Sequence, residues 1–237
     1  MSEEAQRGLY VLSAGAAKAL VEGLAAEFHR DTGAVIRGTF GAVGAMRERL
    51  LAGDACDAFV STAAMLDSLE QDGRVIAGTV RTLGRVRTGI AVRAGEPLAD
   101  VSTGDALAAR LRDAPAIYVP DTERATAGIH FVRVLDRLGL LATLAAKLRT
   151  YPNGAVAMQR LARDGPAGAI GCTQATEILY TDGVVLAGLL PNEFELATAY
   201  AAGVCTSAAD ASLASTFTDW IAGDRTAALR RAGGFEA

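Results

Sequence analysis

The chain of 237 residues is long enough for one large domain or two modest ones, each with its own core. Hydrophobic residues make up 51% of it and charged residues 21%, which excludes a disordered chain or a coiled coil and fits an ordinary soluble α/β protein. A formal net charge of -4 argues against nucleic-acid binding, which needs a basic surface, and no apolar run approaches the roughly 18 to 20 residues that insertion into a membrane requires.

The chain opens on a polar lead, Met1 to Gly8, without the basic start and long apolar core of an export signal. Cys56, Cys172 and Cys205 are odd in number and far apart in sequence, which fits reduced thiols better than a disulfide framework. Both signals point to a cytoplasmic protein, or to a periplasmic or extracellular one if a signal segment has been removed.

Short apolar runs then alternate with amphipathic stretches, the pattern of parallel strands joined by crossover helices. Leu9 to Leu12 reads as a strand. A helix follows from about Ala16 to Arg30, with Ala17, Leu20, Val21, Leu24 and Phe28 on one face and Gly33 ending it. A strand at Ala34 to Phe40 leads through Gly41-Ala42-Val43-Gly44 into a helix carrying Met46, Leu50 and Leu51, closed by Gly53. Asp57 to Ser61 is the third strand, and Ala63 to Gln71 its helix. Val80 to Val92 reads as two strand-like pieces broken by Gly84, where the chain leaves the first lobe.

The βα pattern restarts with a helix at Asp105 to Asp113, a strand at Ala116 to Val119, and helices from about Ala127 to Leu138 and Ala155 to Arg163. A strand at Ala167 to Ile170 enters Gly171-Cys172-Thr173-Gln174, which is expected to open a short helix to Tyr180. Leu196 to Val204 returns as a strand, and a last helix from about Ala208 to Ala222 aligns Leu213, Phe217, Trp220 and Ile221. The expected division is residues 1–83 plus 200–237 as lobe 1 and an inserted lobe 2 at 84–199, with a ligand cleft at the junction.

The most informative feature is a set of small-residue loops between strands and helices. They are Ser13-Ala14-Gly15-Ala16, Gly41-Ala42-Val43-Gly44, Thr126-Ala127-Gly128 and Gly171-Cys172-Thr173-Gln174, with Asn153-Gly154-Ala155 opening a further helix. Small side chains let a ligand approach the backbone, and helix N-termini present N–H groups to an anion. Tight turns and helix caps alone would explain any one of these loops; recurrence in both halves favours a ligand site.

Catalytic signatures are missing. His29 and His130 are the only histidines, no Cys-x-x-Cys pair exists, and GxGxxG, GxxxxGK[ST] and GxSxG are absent. No metal site and no cofactor are therefore expected. His130 is placed to donate a hydrogen bond into a cleft or to pack on its helix surface, and His29 to complement a helix C-terminus. Cys172 is a small buried filler or a nucleophile; Glu177 is a base or faces water; Arg124 and Arg47 clamp a carboxylate or are solvated.

The chain resembles the molybdate-binding proteins of ABC importers, members of the type II periplasmic-binding-protein fold. The resemblance rests on Ser13-Ala14-Gly15, Thr39-Phe40-Gly41-Ala42-Val43-Gly44-Ala45 with Leu51-Ala52-Gly53, and Asp57-Ala58-Phe59-Val60-Ser61. In the second half it rests on Ala127-Gly128-Ile129, Gly154-Ala155-Val156-Ala157, Gly168-Ala169-Ile170 and Gly233-Gly234-Phe235. It implies two lobes, each a mixed sheet flanked by helices, with a cleft between them. In that family hydroxyls in the first two loops and a tyrosine after the late strand help hold the oxyanion; here the corresponding places are Gly15, Ala42 or Val43, and Gly171.

Those replacements remove donors and add space, so a larger ligand such as an organic carboxylate competes with a tetrahedral oxyanion. Ser13, Thr126, Thr173 and Gln174 would be its side-chain partners. The first expectation is a binding module for a small anion, with ABC transporter components as partners if the chain is exported. The alternative is a cytosolic isomerase or lyase acting on a small carboxylate, with His130, Glu177 and Cys172 as acid–base or nucleophilic candidates.

Overall fold

A computed structural model describes residues 7–237; the start of the polar lead, residues 1–6, lies outside the described residues. The chain divides into two compact units, one running up to Arg85 and resuming at Ala199–Ala237, the other spanning Val86–Thr198.

In the first unit, β1 (Gly8–Ala14) passes through a 3-10 turn into α1 (Lys18–Thr32), which ends at Gly33 in the left-handed conformation. β2 (Val35–Gly41), α2 (Val43–Leu51), β3 (Ala58–Thr62) and α3 (Ala63–Gln71) follow. β1 pairs in parallel with both β2 and β3, and β3 pairs antiparallel with the late strand β9 (Ala197–Val204).

One face of this sheet packs Leu12, Phe59 and Ala201 against Met46, Leu50, Leu66 and Leu69. α9 (Ala211–Ala222) sets Phe217 edge-on to Phe28 of α1, with ring centroids 5.9 Å apart. Each fully buried side chain of this size contributes about 1.5–3 kcal/mol. Leu51, though at helical spacing, is exposed, whereas half-buried Trp220 packs edge-on against Phe28 at 5.4 Å and carries Arg225 over its ring. A short α10 (Ala227–Ala232), with no strong period in sequence, closes the unit.

The second unit starts within β4 (Arg81–Arg93), one continuous strand rather than two pieces. Gly84 lets it continue: at φ 130 the residue has no room for a Cβ against Glu236 O, and neighbouring Arg85 exchanges backbone hydrogen bonds with Glu236. Next come α4 (Gly104–Asp113), β5 (Ile117–Pro120), α5 (Thr126–Arg137), the single turn α6 (Leu141–Leu144), β6 (Leu148–Tyr151), α7 (Gly154–Asp164), β7 (Ile170–Gln174), α8 (Ala175–Leu179) and β8 (Val184–Leu189). β5 lies parallel between β6 and β7, while β4 pairs antiparallel with β7 and β8.

Gly171-Cys172-Thr173-Gln174 is therefore strand, not the turn expected from its glycine. Its residues pair with Thr88 to Ala91 of β4, and Gly171 has no side chain because Met158 of α7 fills that place.

Candidate functional site

In the first unit the parallel register sets Ala14 beside Gly41 and Ser13 beside both Phe40 and Val60. The carboxyl ends of β1, β2 and β3 thus form one edge, where ligands of open α/β sheets bind. Ser13 is buried, its hydroxyl donating to Ala14 O at 3.0 Å. Gly15 opens the 3-10 turn, and Gly41 is glycine because the Met46 methyl lies where its Cβ would stand. Ala42 is the N-cap of α2 and Val43 its first residue; Arg47, half-buried, lies one turn on. Ser61, wholly buried one residue beyond Val60, has a hydroxyl oxygen with no hydrogen-bond partner.

In the second unit the corresponding edge carries Pro120 beside Tyr151, with β7 ending at Gln174. Thr88 stands opposite Gln174 in the ladder. The Thr88 hydroxyl, the Gln174 Oε1 and the Thr176 hydroxyl are all buried without a hydrogen-bond partner, while Gln174 Nε2 donates to Thr198 Oγ1 at 3.3 Å. Buried polar atoms are normally paired, so such orphans at a strand's carboxyl end call for an explanation.

Capping divides the helical turns that follow strands into two classes. Thr62, Thr103, Asn153 and Asp210 cap α3, α4, α7 and α9 by accepting a backbone N–H. The turns opening at Ala14, Ala42, Ala125 and Gln174 have no side-chain cap. Alanine cannot cap, and its place there leaves first-turn N–H groups without the usual side-chain acceptor.

Thr126 and Ala127 form the first turn of α5, and Gly128 lets it pack on the end of β5, since a Cβ would overlap Pro120 O and Asp121 O. Arg124 does not stand open to a ligand carboxylate; it is paired with Asp121 at 2.8 Å. Burial raises the Asp121 carboxyl, but the backbone N–H groups of Glu123 and Arg124 and the Arg124 guanidinium outweigh it and hold the group below its usual range. Residues 121–124 and 150–152 line a cavity of about 310 Å3. The Tyr151 ring beside it stacks on Tyr118, nearly parallel at 5.8 Å.

The α7 N-terminus is already filled. The Glu177 carboxylate accepts the backbone N–H groups of Gly154, Ala155 and Gln174 and the Thr173 hydroxyl at 2.5 Å, while Asn153 takes the N–H of Val156. Glu177 therefore does not face water. Its burial raises the carboxyl above the ordinary range despite these donors.

The three candidate catalytic groups are not brought together. The half-buried His130 donates from Nε2 to Phe194 O at 2.8 Å, so it is committed to the backbone rather than reaching into a cleft. Cys172 packs with Phe131 and Ile90 on the sheet face opposite Thr173 and Glu177, and burial pushes its thiol far up. His29 lies at the exposed end of α1, its Nδ1 3.3 Å from Ala34 O. No group of three or more metal-binding side chains occurs among the described residues.

Sequence reasoning passed over Thr88, Thr176 and the lining residues Thr150 and Tyr151. Tyr151 ends β6 and Thr176 lies two residues beyond β7, and that position was their only signal. No described helix is long and apolar enough to cross a membrane.

Among solved structures, the periplasmic molybdate-binding protein of Azotobacter vinelandii superposes with a TM-score of 0.81 at 20% identity, covering 97% of this chain and 99% of its own. A structure described as the tungstate ABC transporter from Geobacter sulfurreducens gives 0.68 at 14% identity, covering 98% and 99%. At these identities the likeness establishes the periplasmic-binding-protein fold. An aconitate isomerase from Pseudomonas sp is 26% identical over 182 residues, 75% of this chain but only 66% of that relative's length. The family model for bacterial extracellular solute-binding proteins matches residues 9–236, and the chain belongs to that family.

Proposed function

We infer that this solute-binding protein holds a small anion, a molybdate-like oxyanion or a small organic carboxylate. In the first unit the proposed contacts are the uncapped turns at Ala14–Gly15 and Gly41–Val43; in the second the like elements are the turn at Thr126–Gly128 and the Thr176 hydroxyl, since Glu177 already takes the donors of Thr173 and Gln174. One observation carries the reading: α8 opens without a side-chain cap and buries the Thr176 hydroxyl without a partner, and at the carboxyl end of β3 the Ser61 hydroxyl is likewise buried and unpartnered, each a donor free to meet an anion. An anion takes backbone N–H and hydroxyl donors together, and each such charge-assisted bond is shorter and stronger than a neutral one. Asn153 and Gly154 take part by shaping the α7 turn, because Glu177 already uses its donors. Delivery of the solute to ABC transporter components is the partnership this reading implies.

Turnover of a small tricarboxylate is the second reading, favoured by the 26% identity with the aconitate isomerase. Against it stand the separation of His130, Cys172 and Glu177 and the commitment of His130 to Phe194 O.

A thermal-shift series with molybdate, tungstate, sulfate, phosphate and di- and tricarboxylates separates the ligand classes. A ligand at a hundred times its dissociation constant adds about 2.7 kcal/mol of stability. Proton NMR of cis- and trans-aconitate incubated with the protein then tests conversion: unchanged spectra support binding alone, and interconversion supports the isomerase.

A further inference from the structure

Cys56 and Cys205 lie 149 positions apart in the chain, yet their Sγ atoms are 3.3 Å from each other in the first unit. Both are free thiols and both are buried. The segments that carry them are tied by backbone and side chain alike. Cys205 N–H donates to Asp57 O at 2.9 Å, and the Ser207 hydroxyl donates to Cys56 O at 3.3 Å. The buried Asp57 carboxylate accepts the N–H groups of both Tyr10 and Ala209 at 2.8 Å. The two sulfurs are thus held together by a framework that does not depend on them.

We propose that Cys56 and Cys205 are a latent disulfide pair, a covalent modification site that closes when the chain folds in contact with a disulfide oxidant. The bond length of a disulfide is about 2.05 Å, so the sulfurs must approach by roughly 1.2 Å, within reach of small side-chain rotations. The reaction balances as thiol–disulfide exchange: one thiolate attacks a small disulfide such as oxidised glutathione and releases one reduced glutathione. The second thiolate then displaces the other glutathione from the mixed disulfide, so that two thiols are oxidised and one disulfide is reduced to two thiols.

Burial blocks this attack in the folded chain, and the Cys205 thiol is raised by its hydrogen bond with Cys56 and by desolvation. The bond therefore forms during folding rather than afterwards. Because the closed loop contains all of Val86–Thr198, the bond would join the outgoing and returning chain into one covalent ring. Cys172, sealed in β7 of the other unit, supplies an internal control.

The test is to refold the unmodified chain from denaturant with oxidised glutathione, quench with an alkylating agent, and map peptides without reduction. A Cys56–Cys205 linked peptide with Cys172 alkylated is the expected result. Recovery of Cys56 and Cys205 as alkylated thiols, or a link that includes Cys172, overturns the proposal. The oxidised chain should melt roughly 5 °C or more above the same chain treated with a reductant. Cys172→Ser should keep that difference, and Cys56→Ser should lose it. Peptide mapping of the unmodified chain decides the question even where a variant fails to fold.

Discussion

Gly154 stands so close to Glu177 that a Cβ on the glycine would overlap the carboxylate Oε2 and the Thr173 hydroxyl together. The carboxylate plays at α7 the part that an external anion plays at an open helix end, and only glycine leaves it room. Gly154→Ala should therefore cost about 1–3 kcal/mol by overpacking. Urea denaturation that shows no loss would mean that Glu177 is free to move aside.

The same carboxyl sets a pH dependence. Burial, its largest influence, raises the Glu177 pKa above the ordinary 4.5. A carboxyl raised on folding contributes stability that is complete below the unfolded value and is lost as pH rises through the folded value. Glu177→Gln does not titrate there. The wild-type advantage over Glu177→Gln should be greatest at acid pH, below the ordinary carboxyl value, and shrink as pH rises above it in paired denaturation curves. An advantage that grows with pH would show that the hydrogen bonds, not burial, dominate.

His130→Ala removes the donor to Phe194 O and leaves that carbonyl short of its partner, at a cost of about 1–3 kcal/mol. Anion affinity should be unchanged within about twofold, since the ring is engaged elsewhere. If the chain proves to convert a carboxylate and His130→Ala lowers the rate by about a hundredfold or more, His130 is a general base and this account of it fails.

Much of this arrangement was legible in the sequence. The 3.6-residue spacing of Leu20, Val21, Leu24 and Phe28 gave α1, and Gly33 gave its end, because both effects are local. β4 was harder, since Gly84 reads as a break until Glu236, some 150 positions away, is seen to supply the hydrogen bonds that continue the strand. Gly171 misled for a related reason: it is small to admit Met158, not to make a turn. Ala14 and Ala42 stand out in the sequence as small loop residues and Ala125 does not, but the lack of caps at all three has meaning only beside Thr62, Thr103, Asn153 and Asp210. Nothing local in sequence distinguishes Thr88 or Ser61 from any other strand hydroxyl.

The cap contrast yields a paired prediction. Thr103→Ala deletes the cap of α4 and should destabilise the fold by about 0.5–2 kcal/mol while leaving anion binding intact. Ala42→Asp places a carboxylate at the α2 end proposed to meet the ligand, where it would compete for the same N–H groups. Its effect should appear in affinity rather than in loss of the fold.

The central claim is that the uncapped helix ends bind a small anion, and calorimetric titration of wild type and Ala42→Asp with molybdate, tungstate and tricarboxylates tests it most directly. Saturable binding of at least one of these anions, weakened about tenfold or more in Ala42→Asp, which is ~1.4 kcal/mol, is the predicted result. No binding of any of them by wild type, or equal affinity in the variant, would contradict it.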